Sequence, residues 1–377
     1  KPGFHKISET CRIARTQYDL KYSWVDTCCI DKSSSAELSE AINSMYRWYQ
    51  DAAICFAYLS DWDGVLSGLH KSKWFQRGWT LQETIAPRQL CFFDAEWNAR
   101  GTRAAYAHEI STATRIPREV LGGTLALDRI PIAARMLWAS TRETTREEDM
   151  AYCLLGIFDI NMPMLYGEGS RAFIRLQEEI IKHSPDTTIF AWTDPSDPRE
   201  FSGLLASSPA HFRGIEHLSL GPLSLILPRD FSITNRGVRF KLRLSWDTVT
   251  RQAILPVGQD RYASERGVFL RQVGIDEFVR VRPDQFPTYL PPGDPSTQAY
   301  GVMKDLRAAE AYRAFYVAKT LSVAQHLTLQ VTTLRFSLEN TITIAGAEPY
   351  GSYSPAARTL YASYSGRFLG YIKLKPE

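Results

Sequence analysis

The chain has no Gly-x-Gly-x-x-Gly and no Gly-rich phosphate loop, so neither a Rossmann nor a P-loop nucleotide site can be assigned to it. No Cys-x-x-Cys pair occurs, and the seven histidines are scattered without metal-ligand spacing. No apolar run approaches the roughly 20 residues of a membrane span. There is no internal repeat and no low-complexity tract. An excess of one charge is missing too: the formal net charge is only +3. Arg142, Arg146 and Arg171 cluster loosely, but acidic residues lie between them, which gives no reason to expect nucleic acid. Six cysteines in 377 residues, with no evident secretory segment, fit a reducing compartment and a cytoplasmic protein.

What is present is a folded composition, 44% hydrophobic and 12% aromatic, at a length for which two domains is the natural prior. Up to about Asp94, helices alternate with short apolar runs, which argues for a parallel α/β sheet. A mainly helical stretch follows, with helical spacing over Arg103 to Thr112, Ile130 to Ser140, Glu147 to Gly156 and Glu168 to His183. In the last of these Phe173, Leu176, Ile180 and Ile181 share one side. After Pro185 the texture turns to strands: Phe190 to Trp192, Leu223 to Leu227, Val238 to Leu244 and Leu327 to Val331, with Asn235-Arg236-Gly237 as a tight turn. An antiparallel β-sandwich or small barrel is expected there. Pro283 to Ser296 reads as an exposed Pro-rich loop.

The segment from Ser72 to Glu83 crowds two tryptophans, an arginine and one carboxylate into twelve residues. A continuous helix from Trp74 to Ile85 places Phe75, Trp79 and Gln82 on one side and brings Trp79 beside Glu83, one turn away. Because the strand-like run Ala53 to Leu59 precedes it, Glu83 is expected near the carboxyl end of a β-strand, where open α/β sheets place ligands. The plainer reading is a buried Trp pair with Glu83 salt-bridged to Arg77 or Arg88. Upstream, Lys21 to Asp31 reads as a short strand running into a loop that carries Asp26 and Asp31. Ser34 and Glu37 then form a capping box that opens a helix with Leu38, Ile42, Met45 and Tyr49 as its buried stripe. The adjacent Cys28 and Cys29 read as packing residues at a strand end.

Three blocks in order, WVDTCCID, ELSEAINSMYRWYQDAAICFAYLSD and SKWFQRGWTLQE, resemble the HET (heterokaryon incompatibility) domain of fungal cell-death proteins. The likeness continues through Thr144 to Asp159 and Met162 to Gly169, similar to the extension that follows the domain in such proteins. Family members usually open with a strand resembling Ala-Ile-Leu-Ser-His-Thr-Trp-Gly, whereas this chain goes from Lys1 straight into a helix. Its start is therefore expected to be incomplete, since a sheet lacking its first strand exposes an edge. The resemblance implies a HET domain over 1–125, a helical extension over 126–185 and a β-rich domain over 186–377.

HET domains in turn look remotely like TIR domains, some of which hydrolyse NAD. That likeness implies a flavodoxin-like sheet and makes Glu83 the counterpart of the catalytic glutamate. Trp79, Trp74, Arg77, Asp26 and Ser60 then become binding residues, with Tyr58 on the neighbouring strand end and Lys73 as a second candidate for the diphosphate. No cofactor is required, because NAD is the substrate. The implied biology is incompatibility or immune-type programmed cell death, with self-assembly on activation and a protein partner. The competing expectations are a non-catalytic module that signals by assembly, and an inactive relative whose Trp-Glu segment is only core. No catalytic set is evident in the β-rich half.

Overall fold

The computed structural model describes residues 2–196 and 199–215 and, from 230 onward, the strands and turns named below. The chain divides into two compact units, one of residues 1–129 with 137–176, the other of 130–136 with 177–377. Leu223 to Leu227 and nearly all of Leu327 to Gln330 lie outside the described residues.

The first unit opens with α1 (Pro2–Tyr18), followed by a single turn, α2 (Asp26–Cys29), and by α3 (Ser35–Asp51). The capping box is half realised. Ser34 Oγ accepts from Glu37 N at 3.3 Å, while the Glu37 carboxylate reaches past Ser34 to Asp31 N at 2.8 Å. Ala41, Ile42 and Met45 are buried, and Leu38, Tyr49 and Trp79 pack against that face. Lys21 to Val25 is irregular rather than a strand, so Asp26 opens a helical turn and does not end a strand.

Three strands form the sheet of this unit in the order β1 (Cys55–Tyr58), β2 (Leu90–Phe93), β3 (Ala99–Thr102). β1 and β2 are parallel, in register from Cys55 against Leu90 to Tyr58 against Phe93. All four residues of β2 are buried, as a strand covered on both faces requires. Cys91 and Phe93 meet Ile13 of α1 and Trp97 on one face, while Phe92 meets Trp74 and Phe75 on the other. The expected all-parallel sheet is not what forms, because β3 returns antiparallel. Only five residues separate it from β2, too few for a parallel crossover, and the buried Asp94 closes that turn by accepting from Glu96 N and Asn98 N.

The segment expected to be one helix from Trp74 is two pieces, a 3-10 turn (Lys73–Gln76) and α4 (Thr80–Ile85). The break has a long-range cause. Gly78 N donates to Glu143 O at 2.8 Å and Glu143 N to Gln76 O at 2.7 Å, so backbone polar groups that a helix would use internally are spent on a bridge between Arg77 and Glu143. Gly78 is required at this bridge, since a Cβ would stand 2.5 Å from Thr144 Cγ2 and 3.1 Å from Cys153 Sγ.

Further helices are α5 (Ala107–Thr114), α6 (Arg118–Leu121), α7 (Ile132–Ala139), α8 (Asp149–Tyr152), α9 (Leu155–Phe158) and α10 (Arg171–His183). The single helix expected over Glu147 to Gly156 is thus two short ones. Gly156 of α9 lets α3 approach, because a methyl group there would run into Tyr46.

In the second unit the described strands are β4 (Phe201–Ser202), β5 (Phe231–Thr234), β6 (Gly237–Leu242), β7 (Ser245–Asp247), β8 (Ala253–Gln259), β9 (Glu265–Gly274), β10 (Glu277–Val281), β11 (Thr288–Tyr289), β12 (Leu306–Ala308) and β13 (Arg313–Val317). They form one sheet, ordered β12-β7-β8-β9-β10-β13-β6-β5, with β11 on β9 and β4 on β10. The pairing is antiparallel except between β10 and β13, so the sheet is mixed. Val331–Arg335, Tyr353–Ser354 and Thr359–Ser363 make a separate antiparallel sheet, and Ile342–Glu348 pairs with Tyr371–Pro376. Asn235-Arg236-Gly237 is the β5–β6 turn, with Gly237 at φ +131°. Two expectations fail here. Phe190 to Trp192 closes a 3-10 turn rather than forming a strand. The Pro-rich loop carries β11, which pairs with β9.

Candidate active site

Glu83 sits in α4, and its Oε2 accepts from the buried Trp74 indole Nε1 at 3.2 Å. No other hydrogen bond or ion pair reaches this carboxylate among the described residues, so the salt bridges to Arg77 or Arg88 are not formed. Desolvation, reinforced by the charge of Asp26, pushes the Glu83 carboxyl up to about 7, against the opposing pull of Arg77, the Trp74 hydrogen bond and Arg142. Glu83 in turn contributes, after desolvation, to the raised values of Tyr49 and Cys55.

These neighbours locate the group. Cys55 is the first residue of β1, so Glu83 lies toward the amino end of that strand and not in a crevice at its carboxyl end. The residues at the carboxyl end are engaged elsewhere. Tyr58 donates to Ala95 O at 3.0 Å and stacks on Trp97, with ring centroids 4.3 Å apart. Ser60 is exposed, and its hydroxyl has no hydrogen-bond partner among the described residues. Asp61 binds Ser72 Oγ at 2.7 Å and Lys73 N at 2.8 Å, which anchors the turn that delivers Trp74.

The structure therefore brings Asp26, Trp74, Arg77 and Glu83 together and leaves Ser60 out. Trp74 is packed edge-on against Phe75 and Phe92, so it serves as a donor to Glu83 and not as an open stacking wall. Trp79 plays the matching role for another carboxylate: its side chain hydrogen-bonds Asp149, which also accepts from Tyr166 Oη at 2.9 Å. The Arg77 guanidinium is exposed and makes no hydrogen bond with the described residues, which leaves it available beside Glu83. Asp31 is a turn residue, since its Oδ1 accepts from Ser33 N and Ser33 Oγ at 2.9 and 2.6 Å.

Arg142 is the residue that sequence reasoning passed over. It is buried, and its Nη1 donates to Arg77 O and Thr80 Oγ1, both at 2.9 Å, while Nε reaches Trp138 O. It holds both ends of the link between the 3-10 turn and α4. Its one signal in the sequence was the loose cluster with Arg146 and Arg171, whose interspersed acidic residues left it without a role. Cys28 and Cys29 are exposed rather than packed, because the strand expected to bury them is absent.

Residues 5–65 match the family model described as Heterokaryon incompatibility protein (HET). Over those residues the chain is similar to a HET domain. Over 206 residues, 52% of this chain, it is 47% identical to the vegetative incompatibility protein HET-E-1 of Podospora anserina, and the match spans 15% of that protein. Residues 171–217 match a domain of unknown function, DUF8212. No solved structure matches. The HET match includes Asp26, Tyr49 and Ser60 and ends before Trp74. Among the described residues no helix is long and apolar enough to cross a membrane, and no group of three metal-ligating side chains is found.

Proposed function

We propose that this HET domain acts in incompatibility-type cell death as a TIR-like enzyme that hydrolyses NAD at the nicotinamide-ribose bond, with Glu83 as the catalytic carboxylate. The observation that carries the reading is the state of Glu83. One oxygen is held by Trp74, the other has no hydrogen bond among the described residues, and the group is desolvated beside an exposed arginine. Perturbed carboxylates of this kind gather at functional sites.

Cleavage of a nicotinamide-ribose bond builds positive charge on the ribose carbon, as other glycosidic cleavages do. Nicotinamide leaves readily, so the main demand is a negative charge placed where the cation develops. Glu83 supplies it when ionised, with Asp26 adding to the negative field and Arg77 available to the diphosphate. NAD is the substrate in this scheme, and no cofactor is needed.

The test is nicotinamide release from NAD by the protein and by Glu83→Gln, which keeps shape and removes charge. Release by the wild type that falls at least a hundredfold in a folded Glu83→Gln variant is the expected result. A wild type that releases none at high protein concentration overturns it.

One observation favours the non-catalytic alternative, in which the domain signals by self-assembly and partner binding. Tyr22, Trp24 and Trp48 are 92%, 36% and 38% exposed, and Trp24 packs edge-on against Trp48 with centroids 5.4 Å apart. All three lie inside the HET match, and exposed aromatic clusters of this kind mark interaction surfaces.

A further inference from the structure

Two adjacent cysteines stand on the surface of the first unit, and the function proposed above does not use them. Cys28 and Cys29 are both exposed, and their sulfurs lie 3.9 Å apart. The two thiols are differently placed on one backbone unit. Cys28 Sγ faces Val25 O at 3.6 Å as a donor, whereas Cys29 Sγ accepts from Val25 N at 3.4 Å. Cys29 Sγ is thus the acceptor and Cys28 Sγ the donor on the same backbone unit. A third thiol, Cys11 of α1, is near enough for its charge to act on Cys28.

We propose that Cys28 and Cys29 form an oxidisable dithiol that closes to a disulfide between adjacent residues when it meets hydrogen peroxide. The chemistry balances in two steps. The Cys29 thiolate attacks one peroxide oxygen, the O–O bond breaks, and with one proton the products are a Cys29 sulfenic acid and water. The Cys28 thiol then attacks the Cys29 sulfur, the S–O bond breaks, and a second water leaves as the S–S bond forms. Overall two thiols are oxidised and one hydrogen peroxide is reduced to two waters.

The pair is poised but not pre-closed. Sulfur atoms must approach to about 2.0 Å, and neighbouring Cα atoms across a trans peptide are held about 3.8 Å apart, below the usual disulfide span. Closure therefore has to turn the Cys28-Cys29 backbone. That backbone is α2, whose single turn rests on Cys28 N and Cys29 N donating to Val25 O at 3.1 and 2.9 Å. The turn is surface-exposed, short and without a side-chain cap, so little opposes its opening. Its first residue is Asp26, whose charge acts on Glu83, so the ring forms one residue away from the carboxylate pair.

The test is peroxide treatment of the reduced protein, alkylation of the remaining thiols, and tryptic mapping. Trypsin releases Tyr22 to Lys32 with both cysteines and separates Ile7 to Arg12 with Cys11. The expected result is a Tyr22 to Lys32 peptide lighter by two hydrogens and closed to alkylation, restored by dithiothreitol. Cys28→Ser should stop at a dimedone-trapped sulfenic acid on Cys29, and Cys11→Ser should leave the ring yield unchanged. A disulfide joining Cys11 to either residue, a disulfide between chains, or a Tyr22 to Lys32 peptide that stays fully alkylated would overturn the proposal.

Discussion

Arg142 in the first unit and Arg280 in the second are both buried, yet they are held in opposite ways. Arg280 lies on Trp192, with the guanidinium 3.8 Å from the ring centroid, and donates to the carbonyls of Phe190 and Trp192. No carboxylate pairs with it among the described residues, and burial alone draws its pKa down to about 9. Arg142 also spends its hydrogen bonds on backbone and hydroxyl oxygens, but its charge acts on Glu83 and pulls that group's pKa down against desolvation. A cation buried against dipoles alone is architecture. A cation buried within the field of a titratable acid also sets when that acid is charged.

Removing each group in turn separates these roles. Arg280→Ala leaves two carbonyls unpaired and a void, and should cost about 3–5 kcal/mol in denaturant unfolding while the Glu83 titration stays where it is. A larger effect on Glu83 than on unfolding would break the contrast.

The next test is the pH dependence of stability. The folded-state pKa of Glu83 is raised from 4.5 to about 7, so between those values the native state holds a proton that the unfolded chain has released. The stabilisation from this group is full below pH 4.5 and is lost as pH rises through 7, by at most about 3 kcal/mol. Glu83→Gln should flatten that slope, and an unchanged slope in the variant would assign it to another group.

The smallest effect sharpens the comparison most. Arg142→Met removes the opposing positive charge, so the Glu83 midpoint, followed by the carboxyl infrared band that Glu83→Gln abolishes, should move further above 7 by less than one unit. A shift downward would mean that Arg142 does not act on Glu83 through its charge.

The parts of the molecule legible from its sequence were those made by neighbours along the chain. The Ser34 cap, the buried stripe of α3, the amphipathic α10 and the Asn235-Arg236-Gly237 turn all rest on contacts a few residues apart. The errors fall where distant partners decide. Trp74 to Ile85 has helical spacing, but Gln76 and Gly78 bind Glu143 instead of continuing a helix. Lys21 to Val25 reads like a strand and pairs with no strand among the described residues. In the candidate site, Trp74, Arg77 and Glu83 were visible because they share one segment. Arg142 was not visible, because its role is defined by Arg77 O and Thr80 Oγ1, more than sixty positions earlier.

The bridge between Arg77 and Glu143 has a consequence in time. As the chain emerges from the ribosome, Trp74, Arg77 and Glu83 are all made before Arg142, Glu143 and Cys153, the residues that bind the Arg77 carbonyl, the Gly78 amide and the Gln82 amide. Until those later residues arrive, the link between the 3-10 turn that carries Trp74 and the helix that carries Glu83 lacks the partners that hold it. A nascent or truncated domain that ends before Arg142 contains Asp26, Trp74, Arg77 and Glu83 and lacks the contacts that fix the geometry between Trp74 and Glu83.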